Sequence, residues 1–393
     1  MDSPFIYYRY VTGKNFFGRR EDCKILGNLL AQGEHVVLCE PPKAGKTSVI
    51  QQTLLNLRVT GRQFTVGQFN LMNIRTIADF LVRLGSTALR TVATTPSEYQ
   101  ELIGKYLDGT HFIFDQRNYA ETDRIISLNW DVDENDILAM LRFPQRIARD
   151  RGMALILILD EFQCIGNTED GDKVCKIFEK VLAEMRGEPK PGCTYIFSGS
   201  MVNAMKEIFR VKRFFYRQVE FLPLRTIDEK EIIDYVHKGF MNSGKEVDRT
   251  LLHGVCRLFR NEMCYINHLT AVCDSLSRGY IVESTMTEAL RIVLSVHEPR
   301  FLATMNSLTT FQVSLLKAIL DGHVKFSASE VIRAYGLNSS ANVKRLKDAL
   351  MKKEIVTFTE KDEPVVIDPL FEYWVRKFYF EQKISKSKRK TPC

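Results

Sequence analysis

Among the nine cysteines of this 393-residue chain no C-x-x-C pair occurs, and its seven histidines form no cluster with them. A zinc knuckle is thereby excluded as an organising element. There is no internal repeat. The longest apolar run, MALILIL at 153–159, is strand-length and too short to cross a membrane. The start, MDSPFIYYRYVTG, carries an acid and aromatics where a secretory leader needs basic residues and then an apolar stretch. Unpatterned cysteines, several of them (Cys39, Cys164, Cys193) inside apolar runs, read as small buried hydrophobes in a reducing compartment. The expectation is a cytoplasmic protein with no membrane partner.

The chain is 45% hydrophobic and 26% charged, and its length exceeds one ordinary core, so two or three domains are expected. A net charge of +7 permits contact with phosphate backbones or acidic partners without requiring it. The last stretch, KISKSKRKTPC, holds Lys383, Lys386, Lys388, Arg389 and Lys390 with no acid, and reads as a disordered, solvated tail or an electrostatic arm.

Continuous apolar strands alternate with helical periodicity as far as about residue 225: HVVLC, QFTVGQFNL, MALILILDEF, CTYIFSG and QVEFLPL, separated by segments such as KTSVIQQTLLNL and GDKVCKIFEKVLAEMRG. That pattern predicts an α/β fold, a parallel sheet covered by helices on both faces. Residues 92–132 are the least legible; HFIFD and IISLNW alternate like strands of an insertion. From 226 to 300 the pattern is helical and predicts a lid. From 301 to 382 the order is helix, helix, a turn with Gly336, helix SSANVKRLKDALMKKE, then a hairpin, the order of a winged helix. Residues 383–393 form the tail.

The stretch EPPKAGKTS, residues 40–48, nearly spells the phosphate-binding loop G-x-x-x-x-G-K-[ST], with Glu40 in the place of the first glycine. It follows an apolar strand and opens a helix, the context in which backbone N–H groups of such a loop point at an anion. Pro42, Lys43, Ala44, Gly45, Lys46, Thr47 and Ser48 are the candidate nucleotide-binding residues. Lys46 would reach the β- and γ-phosphates, and the Thr47 hydroxyl would take Mg²⁺. The Glu40 carboxylate has to point away from the phosphates or be offset by Lys43.

The strand ALILILDEF ends in Asp160 and Glu161, and carboxylates at the end of a buried strand are costly without a task or a partner. Asp160 would hold Mg²⁺ through water, and Glu161 would polarise the attacking water as general base. Ser200 ends the strand CTYIFSGS and would touch the γ-phosphate or the lytic water, unless it simply makes a small-residue turn. Arg210, Arg213 and Arg217 fall within eight residues. Arg217 in particular could sense the γ-phosphate in its own chain or reach a neighbouring subunit. Phe17, Gly18 and Arg19 would wall an adenine or form a packed connector. In the third helix of the winged-helix unit, Lys344, Arg345, Lys347, Lys352 and Lys353 suit phosphate contacts or the major groove. The wing acids Glu354, Glu360, Asp362 and Glu363 dilute that charge and favour protein docking.

FFGRRED, EPPKAGKT, LILDEFQ, FSGS, FYRQVEFLPL and VVIDPLFEYWVRKFY together resemble the archaeal-type ATPases of the STAND class, AAA+-related signalling ATPases with a helical lid and a C-terminal winged helix. The resemblance spans nearly the whole chain. It implies ATP or ADP with Mg²⁺ at the loop, Asp160 and Glu161 as the Walker B pair, and Arg217 as the arginine before the last strand. The family has glycine where Glu40 stands. Its lid motif is Gly-Asn-Pro with a following aromatic, whereas RNEMCYINHL keeps only Asn261 and Tyr265. The implied function is slow ATP hydrolysis as a conformational switch. The rivals are a DNA-binding regulator or initiator-like protein that uses ATP structurally, and a non-hydrolysing scaffold; a protein partner or a homo-oligomer is compatible with each.

Overall fold

The computed structural model describes residues 3–381 apart from 123, 189 and 190, so the basic tail lies outside the described residues. By internal contacts the chain forms two units. One comprises Arg19–Pro42 and Lys46–Arg225; the other takes the residues up to Gly18, the stretch Lys43–Gly45 and those from Thr226 onward.

The first unit runs α1 (Arg20–Gln32), β1 (His35–Cys39), α2 (Lys46–Val59), β2 (Thr65–Asn70), α3 (Ile77–Arg90), α4 (Pro96–Tyr106), β3 (Phe112–Phe114) and β4 (Ile126–Leu128). It continues with α5 (Glu134–Asp150), β5 (Leu155–Asp160), α6 (Gly171–Arg186), β6 (Cys193–Gly199), α7 (Val202–Lys206) and β7 (Val219–Phe221). Five of the strands make one parallel sheet in the order β2-β5-β6-β1-β7. The apolar runs earn their place as central strands: β5 and β6 are buried nearly throughout, so both faces need hydrophobic side chains. The illegible stretch 92–132 is α4 followed by the antiparallel pair β3–β4. Phe162, Phe178, Phe197, Phe209 and Phe215 form a ring cluster beside the ends of β5 and β6, with centroids 4.7–5.9 Å apart. Such a cluster gives the strand ends a rigid footing.

The second unit runs α8 (Glu229–Asn242), β8 (Glu246–Val247), α9 (Arg249–Leu258), α10 (Met263–Leu276), β9 (Tyr280–Ile281) and α11 (Glu283–Asn306). Then come α12 (Thr310–Leu320), α13 (Ser329–Tyr335), α14 (Ser340–Lys352), the antiparallel wing β10 (Val356–Phe358) and β11 (Pro364–Val366), and α15 (Pro369–Trp374). Gly336, at φ +63, ends α13 in the left-handed conformation the turn requires. Helix α11 passes straight through residue 300, with Pro299 inside it. The lead-in belongs to this unit, because Phe5 packs edge-on against Phe240 and Tyr235. The lid and winged-helix portions share one hydrophobic core. No helix among the described residues is long and apolar enough to cross a membrane. The eight described cysteines are unbridged.

Candidate functional site

The register of the sheet decides what meets what. Strand β1 ends at Cys39 opposite Gly199, and β5 ends at Asp160 opposite Asn70. Since Leu159 pairs with Phe197, Asp160 stands level with Ser198. The loop at 40–45, both carboxylates and Ser200 therefore emerge at the carboxyl edge of the same three neighbouring strands, where open parallel sheets bind ligands.

Glu40 prolongs β1 by one step, its N–H donating to the Gly199 carbonyl at 3.4 Å. Its Oε1 accepts the Leu224 N–H at 2.8 Å, so the carboxylate turns to the chain after β7 and Lys43 is not needed to offset it. Burial pushes this carboxyl above the usual range, against the Leu224 hydrogen bond and the nearby Arg19 and Lys46 charges. Lys43 and Gly45 take left-handed φ values of +68 and +97; Ala44 is buried and Pro42 exposed. Lys46, 7% exposed, opens α2, and its Nζ donates to the carbonyls of Glu40 at 2.7 Å and Pro41 at 3.0 Å. Burial pulls its ammonium below the ordinary lysine value, partly countered by Glu161, Asp160 and Glu40. Thr47 and Ser48, half-buried, complete the first turn of α2.

Glu161 adopts φ +54, a conformation that costs on the order of 1–3 kcal/mol for a non-glycine residue. What holds it is its Oε2, which accepts from Gln163 Nε2 at 2.5 Å, Ser200 Oγ at 2.7 Å and Ser200 N at 3.2 Å. Oδ2 of Asp160 accepts from Asn70 Nδ2 at 3.2 Å, and Oδ1 accepts the Glu161 N–H at 3.1 Å. Gly199 lets the Gln163 and Met205 side chains close in on the backbone, since a Cβ there would lie 2.5 Å from both Gln163 Oε1 and Met205 Sδ. Gln163, Asn70 and Leu224 were not anticipated from sequence. Asn70 had a legible signal, a polar side chain ending a strand as Asp160 does.

The remaining candidates fall elsewhere. Arg217 is exposed, at φ +59, with its guanidinium over the Tyr216 ring at 5.2 Å. It lies two residues before Val219, which pairs with His35 at the start of β1. The loop leaves the other end of that strand, four strand steps or roughly 13 Å further on. Contact with a phosphate in its own chain is thereby disfavoured. Arg19 donates to the Arg225 carbonyl at 2.7 Å and pairs with buried Asp22 at 3.6 Å. In the other unit Phe17 stacks on Tyr235 at 4.6 Å, and a Cβ on Gly18 would meet Ile227 at 2.9 Å, which is the packed-connector arrangement. Asn261 donates to the Ile227 carbonyl, and the Tyr265 hydroxyl donates to Asp368. On α14, Lys347 pairs with the wing's Asp362 at 2.8 Å, while Lys344, Arg345 and Lys352 are exposed.

Residues 299–377 match the family model described as "Probable winged helix domain". No curated protein matches the chain in sequence. Among solved structures, the Walker-type ATPase PABY2304 of Pyrococcus abyssi is similar over 95% of this chain and 99% of that one, at 14% identity and a TM-score of 0.65. The Aeropyrum pernix ORC2 protein, in its ADPNP–ADP complexes, is similar over 95% and 98%, at 13% identity and a TM-score of 0.50. At such identities the likeness is one of fold. This chain therefore shares the fold of the Walker-type ATPase PABY2304, a parallel sheet with helices, and carries a winged helix domain at 299–377.

Proposed function

We propose that the chain binds ATP at the loop 40–47 and hydrolyses it slowly, as a nucleotide-dependent switch of the STAND kind coupled to its winged helix. The observation that carries this reading is the convergence of Lys46, Asp160, Glu161 and Ser200 at one sheet edge, where the Lys46 ammonium, among the described residues, donates to the carbonyls of its own loop. An incoming triphosphate offers Lys46 a better, charged acceptor. Oε2 of Glu161 is held by three donors, which leaves Oε1 to take the proton of an attacking water. Ser200 is a positioning residue for that carboxylate. Thr47 and Asp160 fit a divalent ion, one a hydroxyl with no side-chain partner among the described residues, the other a carboxylate at the strand end. Bound Mg²⁺ would neutralise charge building on the phosphate oxygens. Arg217, at the far end of β1, suits a finger offered to a neighbouring copy, which makes a homo-oligomer part of the proposal. Titration of Mg-ATP by calorimetry tests it: Lys46→Ala should abolish the binding that wild type shows, and equal binding by both would refute the assignment.

A second reading has its own observation. Exposed Lys344, Arg345 and Lys352 on α14 suit duplex DNA, and the pairing of Lys347 with Asp362 withdraws one cation from that face. Changing Lys344 and Arg345 to alanine should weaken duplex binding and lower its salt slope by about 2 if DNA is the partner.

A further inference from the structure

We infer that the outer edge of β2 is a docking site for an acidic, extended peptide segment, which would add as a sixth strand. Strand β2 is one end of the sheet. The N–H groups of Thr65 and Leu71 point inward, to the carbonyls of Ala154 and Asp160. In a parallel ladder the N–H and C=O of one residue face the same side, so the even residues Val66 and Gln68 turn both groups outward. Among the described residues those groups have no partner. An uncovered edge of this kind is a template for strand addition, and proteins usually cover it or place charge on it.

Beside the edge lies a cavity of about 270 Å³ between β2 and α3, lined among others by Val66, Gln68, Arg83, Thr87, Arg90 and Thr91, with no acidic side chain in its lining. Arg83 is half-buried and has neither ion pair nor side-chain hydrogen bond among the described residues. Arg90 donates to the carbonyls of Tyr119 and Thr122 at 3.3 and 2.8 Å, neutral acceptors that leave its charge uncompensated. The acid nearest on the same helix, Asp79, is taken by Arg124 at 2.9 Å. Two uncompensated guanidinium groups beside a row of open backbone groups select the occupant by charge. A second copy joined edge to edge would set these arginines against their own counterparts. The chain's tail KISKSKRKTPC carries the same sign and is repelled. A partner strand with Glu or Asp at alternate positions satisfies both features, its main chain on Val66 and Gln68 and its carboxylates on Arg83 and Arg90.

The probe is a fluorescein-labelled heptapeptide of alternating Glu and Val, followed by anisotropy up to millimolar protein at 50 mM salt. Its Gln-Val and Lys-Val counterparts and a single-stranded oligonucleotide of equal charge serve as comparisons. The acidic peptide should bind at least tenfold tighter than either counterpart. Arg83→Gln should weaken it about tenfold. Gln68→Pro should abolish it, because proline removes only an outward N–H and is tolerated on an edge strand. Amide exchange should slow at Val66 and Gln68 when the peptide is added, and thermal melting checks that both variants fold. No binding to the acidic peptide, equal binding by folded Gln68→Pro, or preference for the oligonucleotide would each overturn the proposal. The test uses no nucleotide, so its failure is separate from any failure of the ATP site.

Discussion

At the scale of single residues, Glu40 occupies the glycine place of a phosphate loop and survives there because Leu224 gives its carboxylate an N–H donor. Its charge nonetheless acts on Lys46, the lysine proposed to meet the phosphates. Glu40→Gln keeps the acceptor oxygen and removes the charge, and should tighten ATP binding several-fold, on the order of 1 kcal/mol. Because burial raises this carboxyl's pKa, the wild-type residue is neutralised at a higher pH than an ordinary glutamate. The advantage of the variant should be widest at pH 8 and shrink as the pH falls towards 5. Affinities of the two proteins across that range check it, and a gap that widens on acidification would contradict it. Much of this site is legible in sequence because it is local: the loop with its lysine, and two acids ending an apolar strand. Its supports are not local. Gln163, Asn70 and Leu224 meet their partners only through strand register and the turn at Glu161, which a linear reading does not supply.

Among the elements, the strands were the plainest, since a strand buried on both faces must be apolar throughout. Helix α4 was missed although Thr95, Pro96 and Glu98 spell a capping box with proline in its first turn. The polar sequence that follows has too weak an apolar stripe to declare itself. Helix α11 runs without a break through Pro299, close to where the winged helix domain begins. A second capping box, Asp133 with Asp136, starts α5. Buried Asp136 also accepts from the His111 N–H at 2.9 Å and its Nδ1 at 2.8 Å. His111, Asp133 and Asp136 are close enough to hold a metal ion, but these hydrogen bonds already employ the Asp136 carboxylate and the His111 Nδ1. The hydrogen bond to Asp136 raises the imidazole's pKa above its ordinary value. A raised folded-state pKa means that the contribution is complete below about pH 6.5 and is lost as pH rises through the raised value. His111→Ala should therefore melt further below wild type at pH 5.5 than at pH 9, and a larger gap at pH 9 would contradict the clasp. In the centre of the sheet, Leu157 is fully buried and its side chain would lie 2.7 Å from a Cβ placed on Gly67. Leu157→Ala should cost about 2–5 kcal/mol in chemical denaturation.

For the whole molecule, the account makes ATP turnover depend on residues at opposite edges of the sheet, Glu161 and the loop at the carboxyl edge and Arg217 at the other. If Arg217 serves a neighbouring copy, Arg217→Ala and Glu161→Gln should each be inactive alone, and mixing them should restore part of the turnover. An inactive mixture would confine the chemistry to one chain, and an active Arg217→Ala would remove the arginine from it. The most direct test of the central claim is steady-state ATP hydrolysis by wild type and Glu161→Gln, with nucleotide binding measured beside it. The account predicts slow turnover that falls by about 10²-fold or more in the variant while ATP still binds. No turnover in the wild type, or turnover untouched by the substitution, would contradict it.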